Sequence, residues 1–507
     1  MPFSTLSRLV RRLFGAPTTR PITKPAFKPS LEALDLRAMP ALFTWTDATG
    51  DNQYSDPYNW ANTAGVLSIP GPRDDILFTN FAGANGPGGQ SGGLTGAGGP
   101  TGGSADCYGM QSDPGGPFNS ITLTAGYTGT VTVTGPVQTD ALYLNNGTID
   151  QPAGAGSDIT VLGGATPNDT TWWLNPGWEG GSDFNWTGGT LDSTNSGATL
   201  HISGSNTIAM IAPQNAGAVS TGDTISVEQA ATANFMGGTV TFTGGLGISI
   251  SGHSTVNVMA TTQQPGVGKT TFGVSEQDGV QYINNIDGYY RVNGPVAANS
   301  EMPIYLRRGE LSITGGATAT FQGQTSWSIY GLQVPTGSVY NQRGKVQIET
   351  GSTLVPENGM VQMGGVLQIN VIGAKGGNAK LKGNLWVNGG MVSFVYSRAL
   401  NGVPGAAEAT FTVDGEVSWS GGVYMPTVDR QQPGDASKWI VRGTMTITGS
   451  AALRPIFINR ANAAPPGNRW LVIYADGGID GMPIFNNGGF ALVGDANTPT
   501  KSWTIVI

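Results

Sequence analysis

The chain has little of what most enzymes work with. Of its 507 residues one is a cysteine, Cys107, and two are histidines, His201 and His253. A single cysteine excludes an internal disulfide and a cysteine-based metal cluster. A histidine-dependent triad or zinc site would have to use His201 or His253. Charged residues make up only 11% of the chain, so few groups can titrate near neutral pH. No run of ~18 apolar residues occurs, so no segment is built to cross a membrane as a helix. Beyond the first forty residues, no stretch carries the apolar period of a long amphipathic helix. In place of these there are 79 glycines and abundant serine and threonine, the composition of an all-β chain with many turns.

Charge is unevenly placed. Residues 1–40 hold seven Lys/Arg and two acids, a net of +5, which leaves the remainder at −13. An acidic body argues against nucleic acid or an anionic membrane surface as the main partner.

A Gly-Gly pair between two short alternating runs recurs along the body. It appears in Phe184–Leu191, Phe235–Val240, Val361–Ile369, Leu385–Phe394 and Val417–Tyr424. Apolar residues tend to fall two and four places before the first glycine, and three and five after it. Period 2 on both sides means β-strands, and the one-residue slip means a bend. Two geometries fit: a hairpin with a Gly-Gly turn, or a corner of a solenoid with both apolar sets pointing inward. Gly188 to Gly237 and Gly315 to Gly364 are each 49 residues apart, and Gly364 to Gly389 is 25. Coils of roughly 25 residues favour the solenoid. The expected fold is all-β, a single-stranded right-handed parallel β-helix with end caps. A β-sandwich or hairpin array is the alternative.

In chain order, residues 1–41 read as a basic, largely disordered targeting segment. Residues 42–135 read as an N-terminal cap and first strands, with a mobile Gly-rich loop over 83–104 that cannot bury enough apolar surface to offset its ordering entropy. Residues 136–460 are the β-helix body, and 461–507 are denser strands forming a C-terminal cap. Trp45, Trp60 and Phe78 are expected to cover the open end of the first coil.

Within the first segment, Leu31-Glu-Ala-Leu-Asp-Leu-Arg37-Ala-Met-Pro-Ala41 resembles the Leu-Glu-x-Leu-Glu/Asp-x-Arg-x-x-Pro-Ala motif of planctomycete-type exported surface proteins. Asp35 stands where Glu is commoner. Trp45, Asn59-Trp60, Pro70-Gly71 and Asp75–Phe78 resemble the opening of autotransporter-like, pectate-lyase-like β-helix proteins. The resemblance implies export to the cell surface or extracellular space, with envelope or matrix components as partners. It implies no enzymatic activity.

Other candidate sites are sparse. Gly266-Val-Gly-Lys-Thr-Thr271 fails as a phosphate loop, because Gln263 stands where its first glycine belongs and a strand pattern follows. His201 reads as an outward residue of an alternating strand, His253 as a turn residue, and Cys107 as a buried or semi-buried thiol. Asp476 and Asp480 sit in a Gly-rich turn without a calcium-loop pattern. The richest charged group in the body is Glu301, Arg307, Arg308 and Glu310, with Arg343 and Lys345 about one coil later. On a polysaccharide lyase or hydrolase, Glu301, Arg307, Arg308 and Glu310 would be the catalytic residues. The plainer reading is a charged, solvated strand edge. Trp172, Trp173 and Trp178 could stack on sugar rings, whereas Trp186 shares a repeat position with Trp419 and reads as packing.

The sequence therefore predicts an exported, non-enzymatic structural or adhesive protein that contacts glycans. A β-helix polysaccharide lyase or hydrolase is the alternative, and a self-associating fibre unit a further one. No metal or cofactor is expected; calcium is the ion that a uronate-cleaving enzyme would need.

Overall fold

The computed structural model describes residues 41–507 apart from 80–105, 163–183, 260–268, 275–281, 397–407, 459–466 and shorter intervals of six residues or fewer. The targeting segment, the Gly-rich loop and Trp172, Trp173 and Trp178 thus lie outside the described residues. Pro40–Ile507 forms one compact unit.

That unit is a three-sided parallel β-helix. Setting aside the inserted strands Trp327–Ile329, Leu332–Val334 and Thr427–Asp429, body strands from Phe184–Trp186 onward pair in parallel with the strand three places later, so every third strand belongs to the same side. The first side runs through Ile208–Ile211, Thr232–Phe235, Thr255–Met259, Tyr289–Asn293, Glu310–Thr314 and Lys345–Glu349. The second runs through Gly238–Phe242, Lys269–Val274, Ala297–Ser300 and Thr318–Phe321. The third runs through Gly247–Ile250, Tyr282–Asn285, Ile304–Leu306, Val339–Asn341, Met360–Gln362 and Leu385–Val387. Coil length varies, from 18 residues between the partners Thr130 and Thr148 to 45 between Asp75 and Ser120; it is 21 between Tyr289 and Glu310 and 35 between Glu310 and Lys345. Insertions between strands absorb the difference.

Alternation decides which side chains enter the core. In Lys345-Val-Gln-Ile-Glu349, Val346 and Ile348 are buried and the polar residues face out. Both apolar sets around each Gly-Gly pair point inward: Leu385 and Val387 before Gly389, Val392 and Phe394 after it. The strands flanking a pair bond to neighbouring coils and not to each other, which excludes the hairpin array. The interior carries aromatic stacks, with Trp439 5.7 Å from Trp419 and 5.2 Å from Tyr424 by ring centroids. Each such side chain brings roughly 1.5–3 kcal/mol of transfer free energy.

The glycine repeat resolves into two different corners. Gly188 and Gly237-Gly238 lie between the first and second sides, whereas Gly364-Gly365, Gly389-Gly390 and Gly421-Gly422 lie between the third and first. The 49-residue interval from Gly315 to Gly364 therefore joins unlike positions and is not a repeat. At the third-to-first corner, glycines stack directly before the strand in six successive coils, at 288, 309, 344, 365, 390 and 422. The ladder continues through them, with Lys345 N–H donating to Gly309 O at 3.0 Å and Val423 N–H to Gly390 O at 2.9 Å.

At the N-terminal end, Leu42–Trp45 accepts the antiparallel strand Trp60–Asn62 on one edge and the first parallel partner, Asp75–Phe78, on the other. Trp45, Trp60 and Phe78 are buried there and meet one another, Trp45 and Trp60 edge to face at 5.0 Å. At the other end, strand Arg469–Asp480 supplies the last parallel partners of two sides, and Ile484–Phe485 that of the remaining one. Antiparallel Thr500–Val506 then pairs with Arg469–Asp480, and Ala491–Gly494 pairs in turn with Thr500–Val506. Asp476 and Asp480 thus lie in a strand rather than a turn, and Asp476 pairs with Arg442 at 3.1 Å.

Asp495 holds the turn between the two covering strands. Its carboxylate accepts from Thr500 Oγ1 at 2.5 Å, Lys501 N–H at 2.9 Å and Asn497 N–H at 3.2 Å. The Thr500 bond first, then the backbone bonds, hold its pKa down to about 2. A depressed folded pKa contributes stability above the unfolded value of ~3.9. That contribution is lost as pH falls through about 2. Amide-exchange protection of Thr500–Val506 is therefore expected to fall as the pH is lowered from about 4 to about 2. In Asp495→Asn it should be low already and flat across that window. Identical profiles for the two proteins would exclude Asp495 as the anchor of this end.

Candidate functional site

The charged group named from the sequence divides. Arg307 and Arg308 form the third-to-first corner with Gly309, where later coils use Gly-Gly. Glu310 opens the next strand of the first side. Gln342, Arg343 and Gly344 occupy the same corner one coil on, with Gln342 N–H donating to Leu306 O at 2.9 Å. Register then places Lys345 beside Glu310, their heads 3.5 Å apart and half-buried. Lys345 Nζ also donates to Gln347 Oε1 at 2.6 Å. Glu301 does not join them: it follows Ala297–Ser300 at the second-to-third corner, across the third side.

The third side carries aromatic residues on its outer surface, adjoining this corner. Tyr305 pairs with Tyr340, Tyr340 with Val361, and Val361 with Trp386 in successive coils. The two tyrosine rings lie 5.2 Å apart at 32°. Tyr305, Tyr340 and Val361 form a buried cluster separate from the interior core, with Tyr282 and Trp386 half-buried against it. Tyr305 Oη donates to Gln342 Oε1 at 2.9 Å, tying the aromatic column to the arginine corner. Burial, and secondarily the neighbouring Tyr305, push the Tyr340 hydroxyl above its ordinary pKa. On the first side, the Arg291 guanidinium lies over the Tyr289 ring at 4.8 Å. The aromatic column escaped the sequence reading. Its signal is a Tyr or Trp at the central, outward position of Ile304–Leu306, Val339–Asn341 and Leu385–Val387. Pairing them requires the register across a 35-residue coil.

The other named residues fall elsewhere. His201 faces out between buried Leu200 and Ile202, and its Nδ1 lies 2.9 Å from Glu228 Oε1. His253 is exposed in a turn with φ +61°. Cys107 is fully buried, and burial raises its thiol pKa well above the ordinary value. Trp186 and Trp419 are core residues at 0% exposure. Lys269–Val274 is a strand of the second side, as the failed phosphate loop requires. Among the described residues no group of three or more His, Cys, Asp or Glu is placed to hold a metal ion. Nor, among them, is any helix long and apolar enough to cross a membrane.

The class that this geometry defines is the parallel β-helix proteins. No protein-family model matches the chain, and no curated protein does.

Proposed function

We propose that the protein is an exported, non-enzymatic β-helix of the cell surface or extracellular space, structural or adhesive in role, which contacts glycans. The observation that supports this best is the chemistry of its outer surface. Uncharged hydroxyl and amide side chains bond from one coil to the next. Asn257 Nδ2 donates to Asn234 Oδ1 at 2.9 Å, Thr412 Oγ1 to Asn378 Oδ1 at 2.9 Å and Ser420 Oγ to Asn388 Oδ1 at 2.9 Å. Such ladders stiffen a stack of strands; Asn234 and Thr412 are buried within them, while Asn388 is exposed and Ser420, Asn378 and Asn257 half-buried, so that part of the hydrogen-bonding surface faces outward. A stiff polar face suits a partner that is itself long, repetitive and hydroxylated.

The Glu310–Lys345 pair beside Arg308 and Arg343 favours a second reading, a polysaccharide lyase or hydrolase, because an acid among cations is what proton abstraction beside a uronate carboxylate uses. One experiment separates the two. The full chain is incubated with acidic and neutral polysaccharides, with and without calcium. New reducing ends, unsaturated products and co-sedimentation are then followed in the same tubes. The expected result is co-sedimentation without cleavage. Cleavage of any glycan sinks the non-enzymatic reading and makes Glu310 the first residue to replace.

A further inference from the structure

Arg308 and Arg343 hold the same corner position in successive coils, fixed by the bonds from Gln342 N–H to Leu306 O and from Lys345 N–H to Gly309 O. Neighbouring strands lie ~4.8 Å apart, and like charges side by side on adjacent strands destabilise a sheet. Both arginines are exposed, and neither forms an ion pair with a described residue. The surroundings do not relieve it. The exposed Arg291 stands one coil earlier on the adjoining side, over the Tyr289 ring. The acids nearby are Glu310, engaged with Lys345, and Asp287, one coil before Arg308 in the same corner column. Arg291 and Asp287 balance on the earlier coil, so the cationic surplus sits on the two coils of Arg308 and Arg343, in a body whose net charge is −13. A protein gains nothing in stability from stacking unpartnered cations, so the arrangement points to an anion supplied from outside.

We propose that this corner binds the carboxylate or sulfate groups of an acidic polysaccharide running along the stack. The inference rests on the glycan-contact reading and adds the ligand's charge. Guanidinium is suited to the task, because its planar fork bonds a carboxylate or sulfate through two parallel N–H donors. Two forks one strand spacing apart hold one acidic group between them. Tyr305 is itself buried, and its bond to Gln342 Oε1 anchors the corner beside Arg343.

The test uses the full chain, with chelator present, on beads carrying polygalacturonate, dextran sulfate or uncharged dextran. Retention on at least one acidic polymer and not on dextran is expected. The double variant Arg308→Gln/Arg343→Gln should lower that affinity at least about tenfold. Arg442→Gln, at the distant Asp476 pair, should leave it unchanged. Raised salt should weaken the wild-type interaction. Thermal unfolding checks that the double variant is folded, and Arg343→Gln alone serves if it is not. Unchanged retention of the variants, or equal retention on dextran and the acidic polymers, overturns the arginine site and leaves glycan contact standing. No retention on any of the three overturns both.

Discussion

Replacing Gly390 with alanine lowers the stability of the solenoid by roughly 3 kcal/mol or more. Gly390 has φ +77°, where an L residue pays about 1–2 kcal/mol. The second contribution is steric. A Cβ there would sit 2.5 Å from Gly365 O and 2.6 Å from the Gly364 carbonyl carbon, backbone atoms of the preceding coil. They cannot rotate away as a side chain would, so the coils must part and the bond from Met391 N–H to Gly365 O stretches with them. Gly351 supplies the comparison: its φ is +96°, and a Cβ added to it meets nothing within 4 Å. Gly351→Ala should therefore cost only the conformational part. Chemical denaturation of both variants checks the argument. Equal losses would show that close approach between coils plays no part, and that the glycine column reflects backbone conformation alone.

The second large effect is expected at Trp439. Trp439→Ala costs about 3–5 kcal/mol, the range for deleting a large buried aromatic. Trp439 is fully buried, and its ring meets Phe411 at 6.2 Å, Trp419 at 5.7 Å and Tyr424 at 5.2 Å. No described group accepts from its indole N–H, so Trp439→Phe should be much the milder change. The loss should also be local. In a stack where each coil touches only its neighbours, stability is close to a sum of coil and interface contributions. Hydrogen exchange should accelerate across Thr410–Val413, Lys438–Val441 and the paired part of Arg469–Asp480. Coils before Tyr289 should keep their protection. A uniform acceleration from Phe118 onward would mean that the solenoid unfolds as a single cooperative unit.

Much of the architecture is legible in the sequence, because a strand's side-chain period is local. Val346 and Ile348 declare their face whatever they pair with, and so do Leu385 and Val387. The Gly-Gly pairs likewise mark bends, but the phase slip fits a hairpin turn as well as a corner, and only the pairing between coils shows that both flanking sets point inward. The particular corner is not legible. Gly237-Gly238 and Gly389-Gly390 look alike in sequence and turn different edges, since a corner is named only by the two sides it joins. The candidate site was half legible for the same reason. Arg307 and Arg308 are adjacent in the chain, whereas their relation to Arg343 and Lys345 depends on a 35-residue coil closing in register. Glu301, six residues from Arg307, lies on the far edge of the third side.

By itself, then, the amino-acid sequence determined an all-β chain with a striped interior, glycine bends, an acidic body and scarcely a histidine or cysteine to work with. Each of these follows from composition or from a period of two. Tertiary structure alone decided that the solenoid has three sides, that Tyr305, Tyr340 and Trp386 share one outer face, and that Arg308 stacks on Arg343. Those relations lie between coils. They are set by hydrogen-bond register across insertions of unequal length, and no local pattern in the chain encodes that register.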